Sequence, residues 1–131
     1  MDLDLTEDQE AIRDVFADFF TSETGPERAR AAEPVGFDAA AWKRLMETGA
    51  PGMGVDADLG GGGASLADLA VVAEEAGARI APLPLVDHQV TARLLASVGA
   101  VTTTSCPVRP SPAWPSARSR MAPPVPFPPE P

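Results

Sequence analysis

An all-α fold is predicted for this 131-residue chain: a small bundle of about four main helices over residues 1–100, followed by a disordered, proline-rich tail over residues 101–131. Three observations carry that prediction. Apolar residues recur at helical spacing in four windows, hydroxyl or acidic caps stand ahead of three of them and Pro84 ahead of the fourth, and glycine or proline closes each of them. Composition also changes at Ala100. Up to that residue the chain has 18 Asp and Glu against 7 Lys and Arg, whereas ten of the fifteen prolines and only one acid, Glu130, come after it.

The first helix is announced by Thr6-Glu7-Asp8-Gln9, a capping box whose acids sit where the helix dipole favours them. Ile12, Val15, Phe16, Phe19 and Phe20 then mark an inward face to about Ser22, and Gly25-Pro26 ends it. A short turn of helix fits Glu27 to Ala32. Asp38 is a good cap for the next helix, with Phe37 and Trp42 placed as a hydrophobic staple and Trp42, Leu45 and Met46 as its inward stripe. Gly49 and Pro51 stop it. Gly52-Met53-Gly54-Val55 reads as a short extended connection.

The stretch around which the others are organised is Val55 to Ile80, where the glycine run Gly60 to Gly63 leads into a helix capped by Ser65 with Asp68 three positions on. Leu66, Leu69, Ala70, Ala73, Ala76, Gly77 and Ile80 give it an apolar face of small residues, with Asp68, Glu74, Glu75 and Arg79 on the other side. After Pro82 and Pro84, a last helix places Val86, Val90, Leu94, Leu95 and Val98 inward and ends at Gly99. Beyond it, Val-Thr-Thr-Thr-Ser and the Ser-Pro and Pro-Pro pairs show no periodicity and favour a disordered segment. The abrupt switch in composition matches translation in a shifted reading frame.

Charge and composition exclude several functions. An acidic helical portion repels phosphate backbones, so nucleic acid is not an expected partner. No window approaches the roughly 20 apolar residues needed to cross a bilayer, so no membrane span is expected. Cys106 is the only cysteine and no basic-apolar leader opens the chain, which points to a cytoplasmic protein. The glycine run lacks the Lys-Ser or Lys-Thr of a phosphate loop and has Asp56, Asp58 and Asp68 nearby, so a tight turn fits it better than an anion cradle. His88 is the sole histidine and has no companions for a metal site or a nucleophilic triad. Glu74 and Glu75 diverge by about 100° on a helix and do not form a carboxylate pair. The residues alone therefore show no catalytic group and no metal site.

The order of segments from Leu5 to Gly99 resembles the N-terminal α-helical domain of the acyl-CoA dehydrogenase family. The matching motifs are Leu-Thr-Glu-Asp-Gln-Glu-Ala-Ile-Arg-Asp (Leu5 to Asp14), Phe37-Asp-x-x-x-Trp42-x-x-Leu45 with Gly49, and Gly52-Met-Gly-Val55 leading through Asp58-Leu-Gly-Gly-Gly-Gly63 into Leu69-Ala-x-Val-x-Glu-Glu75 and Ala81-Pro82. The chain departs from the family at Asp56, Ala57 and Leu59, where a proline, an acid and an aromatic are common. The resemblance implies a FAD-dependent oxidation of acyl-CoA thioesters to trans-2-enoyl-CoA, in which the flavin takes a hydride from the β-carbon while a glutamate removes the α-proton. It also implies homo-oligomers for the full-length protein. The flavin and the catalytic glutamate belong to domains beyond this segment, so FAD binding by this portion alone is not expected. What the segment contributes is one wall of the acyl pocket, with Val86, His88, Gln89 and Val90 as the lining candidates.

These expectations describe a truncated N-terminal piece of a dehydrogenase, inactive alone, whose apolar faces are exposed at Phe16, Phe20, Trp42 and Leu69. The alternative is a non-catalytic helical partner, or interaction module, that docks on a complete dehydrogenase and uses its proline tail as a linker. An unrelated four-helix binding module is a third reading.

Overall fold

The computed structural model describes residues 4–100, and the expectations for the 101–131 tail lie outside the described residues. Five helices and no strands are found there: α1 (Glu7–Glu23), α2 (Pro26–Ala32), α3 (Ala39–Thr48), α4 (Leu66–Ala78) and α5 (Leu85–Ser97), with 3-10 turns at Ala50–Gly52 and Ala57–Leu59. The all-α reading holds. The Gly52–Val55 stretch is not an extended connection, however. Its glycines let the chain coil into the first 3-10 turn, from which Met53 and Val55 are both delivered into the core.

The two capping boxes set the geometry of the bundle. In α1 the Thr6 hydroxyl accepts the Gln9 N–H at 3.3 Å while Gln9 Oε1 accepts the Thr6 N–H at 3.1 Å. In α4, Ser65 and Asp68 make the same exchange. Gln9 Nε2 also donates to Asp68 Oδ1 at 3.2 Å, and Arg79 Nε donates to the Thr21 hydroxyl at 3.0 Å. These two links tie α1 and α4 at both ends, so the helices run side by side in the same direction.

Between the links lies the core. Ile12, Phe16 and Phe20 of α1, spaced four apart, meet Leu69, Val72 and Ala76 of α4, with Leu45, Met53 and Leu85 closing the cluster. The Phe19 ring meets Phe20 edge-on at 5.3 Å and stays only half-buried.

Three expected faces are corrected by this packing. On α4 the buried positions are Leu69, Val71, Val72 and Ala76, while Leu66, Ala70, Gly77 and Ile80 are exposed. The larger valines win the interior because they bury more apolar area than a stripe of alanine and glycine. On α5 the inward residues are Leu85, Gln89 and Ala92, with Leu95 half-buried, so Val86, Val90, Leu94 and Val98 face outward instead. This side of the helix brings the Gln89 amide onto the 3-10 turn at Ala50–Gly52. Nor does the exposed apolar surface fall where expected: Phe16, Phe20 and Leu69 are buried and Trp42 is half-buried.

α4 ends on Ile80 at φ 52, among the described residues the one non-glycine with positive φ, with the Ile80 and Ala81 N–H groups bonded back to Gly77 and Ala76. A β-branched residue in the left-handed region is strained by about 1–2 kcal/mol, and its side chain lies exposed. Ile80→Gly should therefore raise stability by about 1 kcal/mol net of glycine's extra chain entropy, read as a higher Tm by circular dichroism. An unchanged or lower Tm would show that the turn is not strained.

Candidate functional site

Asp38 caps α3 by accepting the N–H groups of Ala40 and Ala41 at 3.1 and 3.0 Å. Its other oxygen pairs with the Arg28 guanidinium of α2 at 2.7 Å, and its own N–H donates to the Pro82 carbonyl, strapping the α4–α5 link to the start of α3. Phe37 and Trp42 meet at 6.5 Å between ring centroids, as a hydrophobic staple requires. Arg28, Ala31, Ala32, Phe37, Asp38 and Ala39 line an open cleft of about 410 Å³ beside this junction.

The Ala41 N–H bond is the largest influence on Asp38 and holds its carboxyl below the ordinary value of 3.8; burial opposes this, and Arg28 and the Ala40 N–H add to it. A depressed folded value contributes stability that is complete above the unfolded value and is lost as pH falls through the folded one. Asp38→Asn keeps a good cap but removes the charge. It should lower stability by roughly 0.5–1 kcal/mol at pH 7, and the gap between the two proteins should close as the pH falls below 4. A gap that does not narrow at all between pH 7 and pH 3 would show that the charge is not its source.

The four predicted lining residues do not act together. Val86 and Val90 are one turn apart on the outer face of α5, at 51 % and 60 % exposure, and Leu94 and Val98 continue the line at 61 % and 69 %. Gln89 is buried and donates from Nε2 to the Ala50 carbonyl at 3.0 Å, so its amide is engaged in holding the 3-10 turn. His88 packs edge-on against Trp42 at 5.5 Å, and its Nε2 is the one enclosed side-chain nitrogen or oxygen without a hydrogen bond among the described residues. The outward stripe Val86-Val90-Leu94-Val98 is thus an apolar line that the other described residues leave exposed. The sequence spacing predicts this series as the inward face of the last helix, and the structure turns it outward.

The glycine segment is a closed structure. The N–H groups of Gly60, Gly61, Gly62, Gly63 and Ala64 all donate to backbone carbonyls, of Ala57, Asp56, Gly52, Val55 and Met53 respectively. None is left pointing at a phosphate, and Asp56 and Asp58 stand exposed beside them. Among the described residues, no group of His, Cys, Asp and Glu is placed to hold a metal, and no helix is long and apolar enough to cross a membrane.

Arg93 is a residue that the sequence reading passed over. Its Nη1 donates to the Gly54 carbonyl at 2.9 Å, so α5 grips the segment before the glycines at two carbonyls, Ala50 through Gln89 and Gly54 through Arg93.

Comparison with known proteins agrees with this architecture. Residues 6–102 match the family described as acyl-CoA dehydrogenase, N-terminal domain. The acyl-CoA dehydrogenase IpdE2 of Mycolicibacterium smegmatis is 36 % identical over 98 residues, covering 72 % of this chain and 32 % of that protein. The protein of the same name in Mycobacterium tuberculosis is 35 % identical over 82 residues, 60 % of this chain and 26 % of its own. Benzylmalonyl-CoA dehydrogenase of Aromatoleum aromaticum is 36 % identical over 75 residues, 57 % of this chain and 20 % of its own. The chain thus spans a third or less of the length of these relatives. No solved structure gives a significant match. With its helical order, its two capping boxes and its closed glycine segment all inside the matched region, this chain belongs to the acyl-CoA dehydrogenase family.

Proposed function

We propose that this chain contributes the N-terminal helical wall of an acyl-CoA binding site, in an enzyme of the class that oxidises acyl-CoA to trans-2-enoyl-CoA with FAD. One observation carries the reading: the apolar stripe of α5, Val86-Val90-Leu94-Val98, faces outward over about three turns with no polar residue in its line. Contiguous apolar surface of this kind on a small domain marks a place where something else packs. Val86 and Val90 are the stripe residues nearest the acyl group in this proposal, and Leu94 and Val98 seat the rest of the enzyme. FAD, when bound, would supply the hydride-accepting chemistry of that oxidation. The glycine segment offers no free amides to its pyrophosphate, because its five N–H groups are already engaged, and no step of the reaction is assigned to the described residues.

On this reading the 131-residue chain alone neither binds FAD nor turns over acyl-CoA. A chimera joining residues 1–100 to the remainder of the Mycolicibacterium smegmatis relative should bind flavin and reduce an electron acceptor with acyl-CoA present. Val86→Asp and Val90→Asp in that chimera should each raise KM by about tenfold or more, since a carboxylate placed against an acyl chain costs at least 1–3 kcal/mol. A yellow, catalytically competent 131-residue protein would overturn the proposal. If the chimera is inactive while the chain co-purifies with an intact dehydrogenase, the docking-module reading takes its place.

A further inference from the structure

We propose that α5 controls the closure of the glycine segment through the backbone that lies between them, with Gln89 and Arg93 as positioning residues. The arrangement has three layers. α5 holds the Ala50 carbonyl with Gln89 Nε2 at 3.0 Å and the Gly54 carbonyl with Arg93 Nη1 at 2.9 Å. The Gly52–Val55 segment presents its other three carbonyls to the glycine layer: Gly52 accepts from Gly62 at 3.3 Å, Val55 from Gly63 at 2.8 Å and Met53 from Ala64 at 2.8 Å. Neither Gln89 nor Arg93 has a hydrogen bond to the glycine layer itself.

The contact between the second and third layers admits no slack. A Cβ at Gly61 would lie 2.1 Å from the Val55 oxygen and one at Gly62 would lie 2.8 Å from the Met53 oxygen. A small displacement of residues 52–55 therefore cannot be taken up by the glycine layer in place; it must break the three bonds or carry the layer along. Arg93 is also three and seven positions beyond Val90 and Val86, which puts its stem beside the outward stripe of α5. A molecule seated on that stripe meets the same side chain that holds Gly54. The device thus joins the stripe to a segment on the far side of the 52–55 backbone.

Amide hydrogen exchange on the full 131-residue chain tests this. In Arg93→Met, which keeps the apolar stem, the Gly62, Gly63 and Ala64 amides should lose about tenfold in protection, with the α1 amides of Phe16 and Phe20 unchanged. Gln89→Met should act on the same three amides, and Arg93→Lys, which restores a donor within reach of Gly54, should recover most of the loss. Glycine-layer amides that keep their protection in Arg93→Met would overturn the proposal. So would amides already unprotected in the parent protein, a loss spread evenly over every helix, or a loss that Arg93→Lys does not repair.

Discussion

Phe20→Ala should cost the protein most of its stability at 25 °C. Phe20 is fully buried and is held between the Phe16 ring at 6.2 Å and the Phe19 ring at 5.3 Å. Its carbonyl also accepts the Thr24 N–H and hydroxyl at 3.0 and 2.6 Å, so the C-terminus of α1 is anchored at the same residue. Truncating a buried phenylalanine costs about 3–5 kcal/mol, because the lost transfer energy is joined by that of an unfilled cavity. Small domains have about 5–15 kcal/mol of stability in all, and one with an apolar stripe open to water sits low in that range. The expected fall in Tm is therefore roughly 15–30 °C, followed by far-ultraviolet circular dichroism. Phe19→Ala, at the half-buried edge of the same cluster, should cost less than half as much. Equal losses at the two positions would mean that α1 packs with a different face.

What the sequence disclosed and what it concealed divide along a physical line. The starts of α1, α3 and α4 were legible because a cap is a local interaction: Thr6 with Gln9, Asp38 with Ala41, and Ser65 with Asp68 are all closed within three residues. The Gly49 stop at φ 79 was legible for the same reason. Which side of a helix goes inward is a tertiary matter. α5 carries two apolar series, Leu85-Gln89-Ala92 and Val86-Val90-Leu94-Val98, and the bulkier one reads as core. The fold buries the other, because the buried Ala50 carbonyl requires a donor, which Gln89 supplies from that side of the helix. α4 shows the reverse error, its alanine spacing being regular enough to hide Val71 and Val72.

The candidate site divides in the same way. Val86 and Val90 are candidates by their place in the family pattern, yet their exposure could not be read without knowing that the inward series is the other one. Gln89 and Arg93 carry no motif, and their roles are defined by the carbonyls they reach, 39 residues away in each case. Such partners leave no trace in local spacing. A stripe that looks like a core in the sequence and lies open in the structure is nonetheless informative. Exposed apolar patches of this kind commonly mark places where something else packs.

The second large effect is expected at Gly61, and its comparison with Gly60 separates two reasons for keeping glycine. Gly60 has φ 82 with open space where a Cβ would be, so Gly60→Ala meets only the left-handed penalty of about 1 kcal/mol. Gly61 is the opposite case: its backbone is in an ordinary region, but a Cβ would stand 2.1 Å from the Val55 oxygen and 2.5 Å from the Val55 carbonyl carbon. Those are backbone atoms of a residue whose own side chain is buried, and Val55 cannot recede without disturbing the core beneath it. The strain is relieved only by lifting the glycine layer, which breaks the Gly62, Gly63 and Ala64 bonds to Gly52, Val55 and Met53. Gly61→Ala should therefore cost about 2–3 kcal/mol and lower Tm by roughly 10–20 °C. Its exchange pattern should differ from that of Phe20→Ala, with protection lost first at Gly62 to Ala64 and only later in α1 and α4. If Gly60→Ala proves the more damaging of the two, the glycine layer does not press on Val55, and the run is retained for its turn alone.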